Sequence, residues 1–192
     1  MILGKNIDIK DNIKNKDKWQ QILKQWIDNN KKYYEKLEKN DVIFWHKEEA
    51  NNSALLVAIW QMGGIATLEY AIKKQDTKEG GYADIFCKID DISYIIECKY
   101  KRQDEKDDDI KLENLMKKAK TDCEKINLSD EKIDEKMAIV FITPFVNNEE
   151  GCENYNDYDM KAVFSLEQNI EYEKKEEYKS IYLFAKLVSD KN

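Results

Sequence analysis

Asp84, Glu97 and Lys99 have the residue types and spacing to bring two carboxylates and an ammonium together, within "GGYADIFCKIDDISYIIECKYK", residues 80–101. Residues from about 82 to 89 and from 92 to 99 alternate as two short strands on either side of Asp90-Asp91. In a hairpin turning at those aspartates Ile89 faces Ile92, and counting outward places Asp84 across from Glu97. Directly opposed side chains share a face, with Cβ atoms about 4.5–5.5 Å apart. Lys99 lies two residues beyond Glu97 and so on the same face. Two carboxylates this close repel unless a cation sits between them, and hard oxygen ligands suit Mg²⁺ or Mn²⁺. The register also gives the hairpin an apolar underside of Ile85, Cys87, Ile89, Ile92, Tyr94 and Ile96. It sets Cys98 opposite Ala83 rather than Cys87, which argues against a disulfide between those cysteines.

Glu-x-Lys or Asp-x-Lys alone carries little information in this chain. Asp8-x-Lys10, Asp104-x-Lys106, Asp130-x-Lys132, Asp134-x-Lys136 and Glu173-x-Lys175 all match. The copy at 97–99 differs in context. It closes an apolar strand, follows a strand opened by an aspartate after a glycine turn, and is preceded by a helix with an acidic start. The plain alternative is a set of edge-strand charges that keep a sheet soluble.

The elements that must position these residues are readable from hydrophobic period. Trp19, Ile22, Leu23, Trp26, Ile27, Tyr33, Tyr34 and Leu37 recur at helical spacing over about 16–39, a stripe that reads as core. A second helix over about 47–62 is apolar on nearly all sides in its later half and ends at Gly63-Gly64. "IATLEYAIK" reads as a strand, followed by the hairpin. Residues 109–127 read as a third helix with lysines on its outer side. "MAIVFITPFV" is a buried strand and "SIYLFAKLV" a terminal one. The polar region 147–161 reads as a surface loop, and the charge runs 104–109 and 171–177 as solvated faces. This order indicates an α/β fold, a mixed sheet flanked by helices.

With 192 residues the chain is long enough for one domain with a real core. Acidic residues outnumber basic ones by 39 to 32, for a net charge of −7, so bulk charge does not drive it onto nucleic acid. Any polynucleotide contact must be local, metal-assisted or helped by a protein partner. Cys87, Cys98, Cys123 and Cys152 form no C-x-x-C pair and read as reduced and buried. The longest apolar run, residues 54–60, is too short to span a membrane, and "MILGKNIDIK" lacks the features of a signal peptide. The expectation is a cytoplasmic protein with no membrane partner.

The pattern Asp84, twelve residues, Glu97-x-Lys99, preceded by an acidic helix and a strand, resembles the PD-(D/E)XK nuclease superfamily with its restriction-endonuclease-like fold. The order before it is similar to archaeal Holliday-junction resolvases, and "EEANNSALLVAIWQMGGIATLEYAIKK" is similar to an uncharacterised bacterial branch of the superfamily. The resemblance covers roughly 45–145. It implies a nuclease-like core there, an N-terminal helical extension over 1–44, and a loop with a C-terminal strand over 146–192. It further implies a metal-dependent nuclease acting on DNA, with Mg²⁺ or Mn²⁺ held by Asp84, Glu97, the Cys98 backbone carbonyl and Glu48. Lys99 would orient water or stabilise the phosphorane. Glu49 and Glu69 are further acidic candidates, and Lys101 and Arg102 candidates for gripping a neighbouring phosphate. Many nucleases of this fold cut as dimers, so a homodimer is among the implied partners.

The chain departs from the pattern at two places. Ala83 replaces a common proline, and Asp122 stands where some members carry glutamine. The second change opens another reading, a catalytically silent nuclease-like binding or immunity module. Other chemistries lack their residues: His46 is the only histidine and reads as capping or packing, and neither Gly63-Gly64 nor Gly80-Gly81 has a phosphate-loop lysine at the required spacing.

Overall fold

The computed structural model describes residues 7–72, 81–103, 112–126, 133–145, 149–172 and 176–189. Its helices are α1 (Lys16–Lys36), α2 (Glu48–Gln61), α3 (Leu112–Glu124) and α4 (Glu149–Glu153). Its strands are β1 (Ile7–Ile9), β2 (Ile65–Ile72), β3 (Gly81–Ile89), β4 (Ile92–Arg102), β5 (Glu135–Thr143), β6 (Met160–Tyr172) and β7 (Glu176–Val188). The strands form one seven-stranded mixed sheet in the order β1-β6-β7-β5-β4-β3-β2, with β4 and β5 parallel and every other neighbour antiparallel. The expected α/β fold, a mixed sheet flanked by helices, is the one observed.

Alternation along the strands feeds two cores. Ile85, Cys87, Tyr94, Ile96 and Ile139 face the layer made by α1, α2 and a 3₁₀ turn at Ile43–Trp45. Ala138, Val140 and Ile142 face α3 and α4. The first helix is integral to this architecture: Trp19 and Trp26 are fully buried, and Asn15 at its start donates to the Ile89 carbonyl at 2.8 Å. Gly63 ends α2 with a left-handed φ of +83°, which suits a residue without a Cβ. An added Cβ on Gly64 would meet Ile59 Cγ2 at 2.8 Å, so that glycine lets β2 start tight against α2.

The hairpin turns at Asp90-Asp91 in the expected register from Ile89↔Ile92 to Ile85↔Ile96, but the ladder ends there, so the expected pairs Asp84 with Glu97 and Ala83 with Cys98 are not part of it. Asp90 takes φ +51°, a left-handed conformation that aspartate tolerates in two-residue hairpin loops. Two further expectations need correction. Region 147–161 is no surface loop where it is described: α4 forms there, and Cys152, Tyr155 and Tyr158 are buried in the α3-side core. Its polar composition is misleading because Asp159 is buried with a purpose, its Oδ2 accepting from the Leu187 N–H at 2.9 Å. Strands β1 and β6 also extend the sheet beyond the expected set. β6 is interrupted by a register shift between Ser165 and Ile170, which hides its period. The charge run 104–109 lies outside the described residues. The run 171–177 occupies the meeting ends of β6 and β7, with 173–175 outside the described residues.

If α1 is part of the core rather than an appendage, Trp26→Ala should destabilise the whole protein by about 3–5 kcal/mol. Urea denaturation followed by far-UV circular dichroism measures this, and a loss below about 1 kcal/mol would mean the helix is dispensable.

Candidate active site

The site begins where β3 and β4 stop pairing. Beyond Ile85↔Ile96, β3 continues beside β2 alone, while β4 continues beside β5 from Glu97 to Arg102. The edge of β4 released in this way carries backbone N–H groups that need acceptors. Asp84 Oδ2 accepts from the Cys98 N–H at 2.6 Å, and Glu48 Oε2 accepts from the Tyr100 N–H at 2.8 Å. These two N–H groups stand about 7 Å apart along the strand. Glu48 reaches the Tyr100 N–H from the first turn of α2, where the helix N-terminus also favours a negative charge. Asp84 reaches the Cys98 N–H because side-chain alternation breaks at its level. Leu68 and Ile85 pack toward α1 and α2, whereas Tyr70 and Ala83 pack in a cluster on the other side. Glu69, across from Asp84 at this break, has a strained left-handed φ of +50°.

Lys99 is the cation of the site. Its Nζ donates to the Cys98 carbonyl at 2.8 Å and pairs with Asp122 Oδ2 at 3.2 Å. Asp122 Oδ1 is in turn 3.0 Å from Lys125 Nζ. Burial works to lower the pKa of Lys99, but the hydrogen bond it donates to Asp122 and the charges of Asp84, Asp122 and Glu48 outweigh it, and the net shift is upward. Lys99 is therefore a fixed positive charge. Asp122 moves oppositely: burial raises its pKa, and Lys125 and Lys99 more than reverse that. Glu48 has a raised pKa, chiefly from burial, with Lys99 opposing and Asp84 adding to the rise.

The expected residues separate into groups. Asp84, Glu48 and Lys99 are brought together and feel each other's charges. Glu97 is 3 % exposed, and its charge acts on the thiols of Cys123 and Cys98. The Cys98 carbonyl, an expected metal ligand, accepts from Lys99. Glu49 and Glu69 are exposed. Lys101 shares a groove with Lys99, whereas Arg102 places its guanidinium 5.9 Å from the Tyr178 ring in the opposite layer. His46 is exposed, with its Nε2 3.2 Å from Asp41 Oδ2. The part sequence reasoning missed is the ion pair from Asp122. Its signal was the helical period, which puts Asp122 on the flank of α3 away from Leu112, Met116, Ala119 and Cys123.

All donors facing a metal here would be oxygens. Burial keeps the nearby thiols protonated, pushing Cys123 up to about 12 and Cys98 well above its ordinary value. Among the described residues no three His, Cys, Asp or Glu side chains are grouped to hold a metal ion. Mg²⁺ commonly needs only one or two carboxylates, completing its shell with water and substrate phosphate. Asp84 and Glu48 fit that mode: each commits one oxygen to a β4 N–H, leaving Asp84 Oδ1 and Glu48 Oε1 as the second oxygens. Compared with family models, curated proteins and solved structures, the chain has no significant match in any of the three. No described helix is long and apolar enough to cross a membrane.

The raised pKa of Glu48 gives a signed prediction. Folding favours its neutral acid, so its stabilising contribution is complete below the ordinary value of 4.5 and is lost as pH rises through the folded value. Glu48→Gln keeps a neutral acceptor for the Tyr100 N–H. Between about pH 4 and about pH 7 its urea midpoint should therefore gain on that of the wild type. A difference that stays flat or moves the other way would show that the carboxylate is not held at that cost.

Proposed function

We propose that the protein is a metal-dependent nuclease that hydrolyses phosphodiester bonds, acting on DNA. The observation carrying this reading is the convergence of Asp84, Glu48 and Lys99 at the point where β3 and β4 separate. Further support comes from element order: an acidic helix start, a strand, the Asp84 strand, and the strand bearing Glu97-x-Lys99, as the PD-(D/E)XK resemblance implies.

Asp84 and Glu48 would hold the ion, with Glu97 and the Cys98 carbonyl as the further ligands expected from the resemblance. Bound there, Mg²⁺ or Mn²⁺ lowers the pKa of a water and offsets negative charge on the scissile phosphate. Lys99, kept protonated by its carboxylate neighbours, is suited to stabilise the charge that builds on phosphate oxygens rather than to remove a proton. Glu97 is buried on the α3 face of β4, and the apolar cluster with Ile85, Ile96 and Cys98 fills the opposite face.

A second reading, a silent nuclease-like binding or immunity module, is favoured by one specific feature. Lys99 Nζ is held by both Asp122 and the Cys98 carbonyl, the very oxygen expected to ligate metal. Incubation with plasmid and single-stranded DNA in Mg²⁺ or Mn²⁺ separates the two readings. The nuclease reading expects metal-dependent cutting that falls at least about 100-fold in both Asp84→Ala and Lys99→Ala. Absence of cutting under every metal and substrate condition would favour the binding module, and cutting unaltered in both variants would assign the activity to a contaminant.

A further inference from the structure

Beside Lys99 lies a groove of about 680 Å³ between the end of β4 and α3. It is lined by Lys99 and Lys101 from β4, by Asn114, Lys117, Lys118 and Thr121 on one face of α3, and by Lys125 just past the helix end. The last five positions follow the i, i+3, i+4, i+7, i+11 helical repeat, opposite the buried stripe of Leu112, Met116, Ala119 and Cys123. The face extends about 16 Å along the helix.

A polar outer face is ordinary for an amphipathic helix, but the distribution of sign here is not. Among the described residues the groove gathers five lysines and one acid, Asp122, in a chain whose net charge is −7. Asp122 is already occupied by Lys99 and Lys125. The other acids of α3, Glu113 and Glu124, fall on the flank shared with Lys120. Those flanking groups face different partners: the charge of Glu113 acts on Tyr155 and that of Lys120 on Asp157. Positive charge is thus concentrated along one channel that ends at Lys99. Clefts lined by one sign of charge attract the opposite sign, and rows of lysine contact phosphates without reading bases.

We infer that the α3–β4 groove binds the phosphate backbone of a polynucleotide and leads it to Lys99, with Lys117, Lys118 and Lys125 as backbone contacts. The inference rests on the proposed function for its choice of nucleic acid over an acidic protein segment, but binding can be read without cutting. Fluorescence anisotropy of labelled duplex DNA, single-stranded DNA and RNA, in buffer with a chelator, provides that readout for the full chain. Lys117→Gln/Lys118→Gln should weaken the preferred polynucleotide about tenfold or more at low salt and make the log–log salt slope shallower by roughly one to two units. Lys24→Gln/Lys32→Gln changes net charge equally on exposed α1 positions and should stay within about twofold. The slope itself distinguishes duplex from single-stranded contacts, being steeper per phosphate for the duplex.

Equal losses in the two double variants, or no binding by the wild type to any of the three polynucleotides, would overturn the assignment. So would equal affinity for polyglutamate. If the wild type binds and never cuts with added metal, the groove stands and the nuclease reading alone falls.

Discussion

The structure around the site depends on one backbone constraint: β4 outlasts β3 as a pairing partner, and its released N–H groups must still be satisfied. A buried or half-buried N–H without an acceptor costs roughly 1–3 kcal/mol, and a carboxylate acceptor forms the stronger, charge-assisted bond. Asp84 and Glu48 meet this need at alternate residues of one strand edge. Two negative charges are thereby concentrated where the sheet opens, and Lys99 is the adjacent counter-charge. The carboxylates thus have a folding role whether or not chemistry occurs there. Only their second oxygens distinguish a ligand set from a pair of backbone caps.

Much of this arrangement was legible in local sequence pattern. The Asp90-Asp91 turn fixes the hairpin register, because a slip of one residue would turn Ile85, Cys87 and Ile96 away from the core. The acidic start of α2 and the glycines after it mark that helix in the same way. What escaped depended on long-range packing. The expectation that Asp84 and Glu97 would face each other assumed a ladder continuing one pair further than it does. The break reflects β2 as well as β3, since Leu68 and Tyr70 also pack on different sides, and Glu69 carries no turn signature that announces a left-handed backbone. Buried Cys152, Tyr155 and Tyr158 were likewise concealed among asparagines and acids whose burial is set by contacts with β7 and α3.

Charge distribution reconciles an acidic chain with the phosphate-directed site proposed for it. Net charge sets behaviour at long range, where salt screens it over about 8–10 Å, while a groove acts within that distance. The core stripe of α3 forces its remaining residues outward, and the order of lysines and acids along the helix decides which flank each sign occupies. The flank facing β4 is the lysine-rich one.

Asp122 links these two levels. It is the acid of the lysine groove and also the partner that, with Asp84 and Glu48, holds Lys99 in its charged form. An amide at this position would accept from Lys99 but would not supply a negative charge, leaving burial a larger influence on the ammonium. Asp122 therefore keeps Lys99 suited to electrostatic stabilisation rather than proton removal, at the cost of some of the groove's positive field. On the proposed nuclease reading the two effects would oppose each other in an overall rate: one would preserve the charge at the reacting phosphate, and the other would reduce the field that brings the polymer in. Lys125, paired to the second oxygen of Asp122, offsets part of that negative charge.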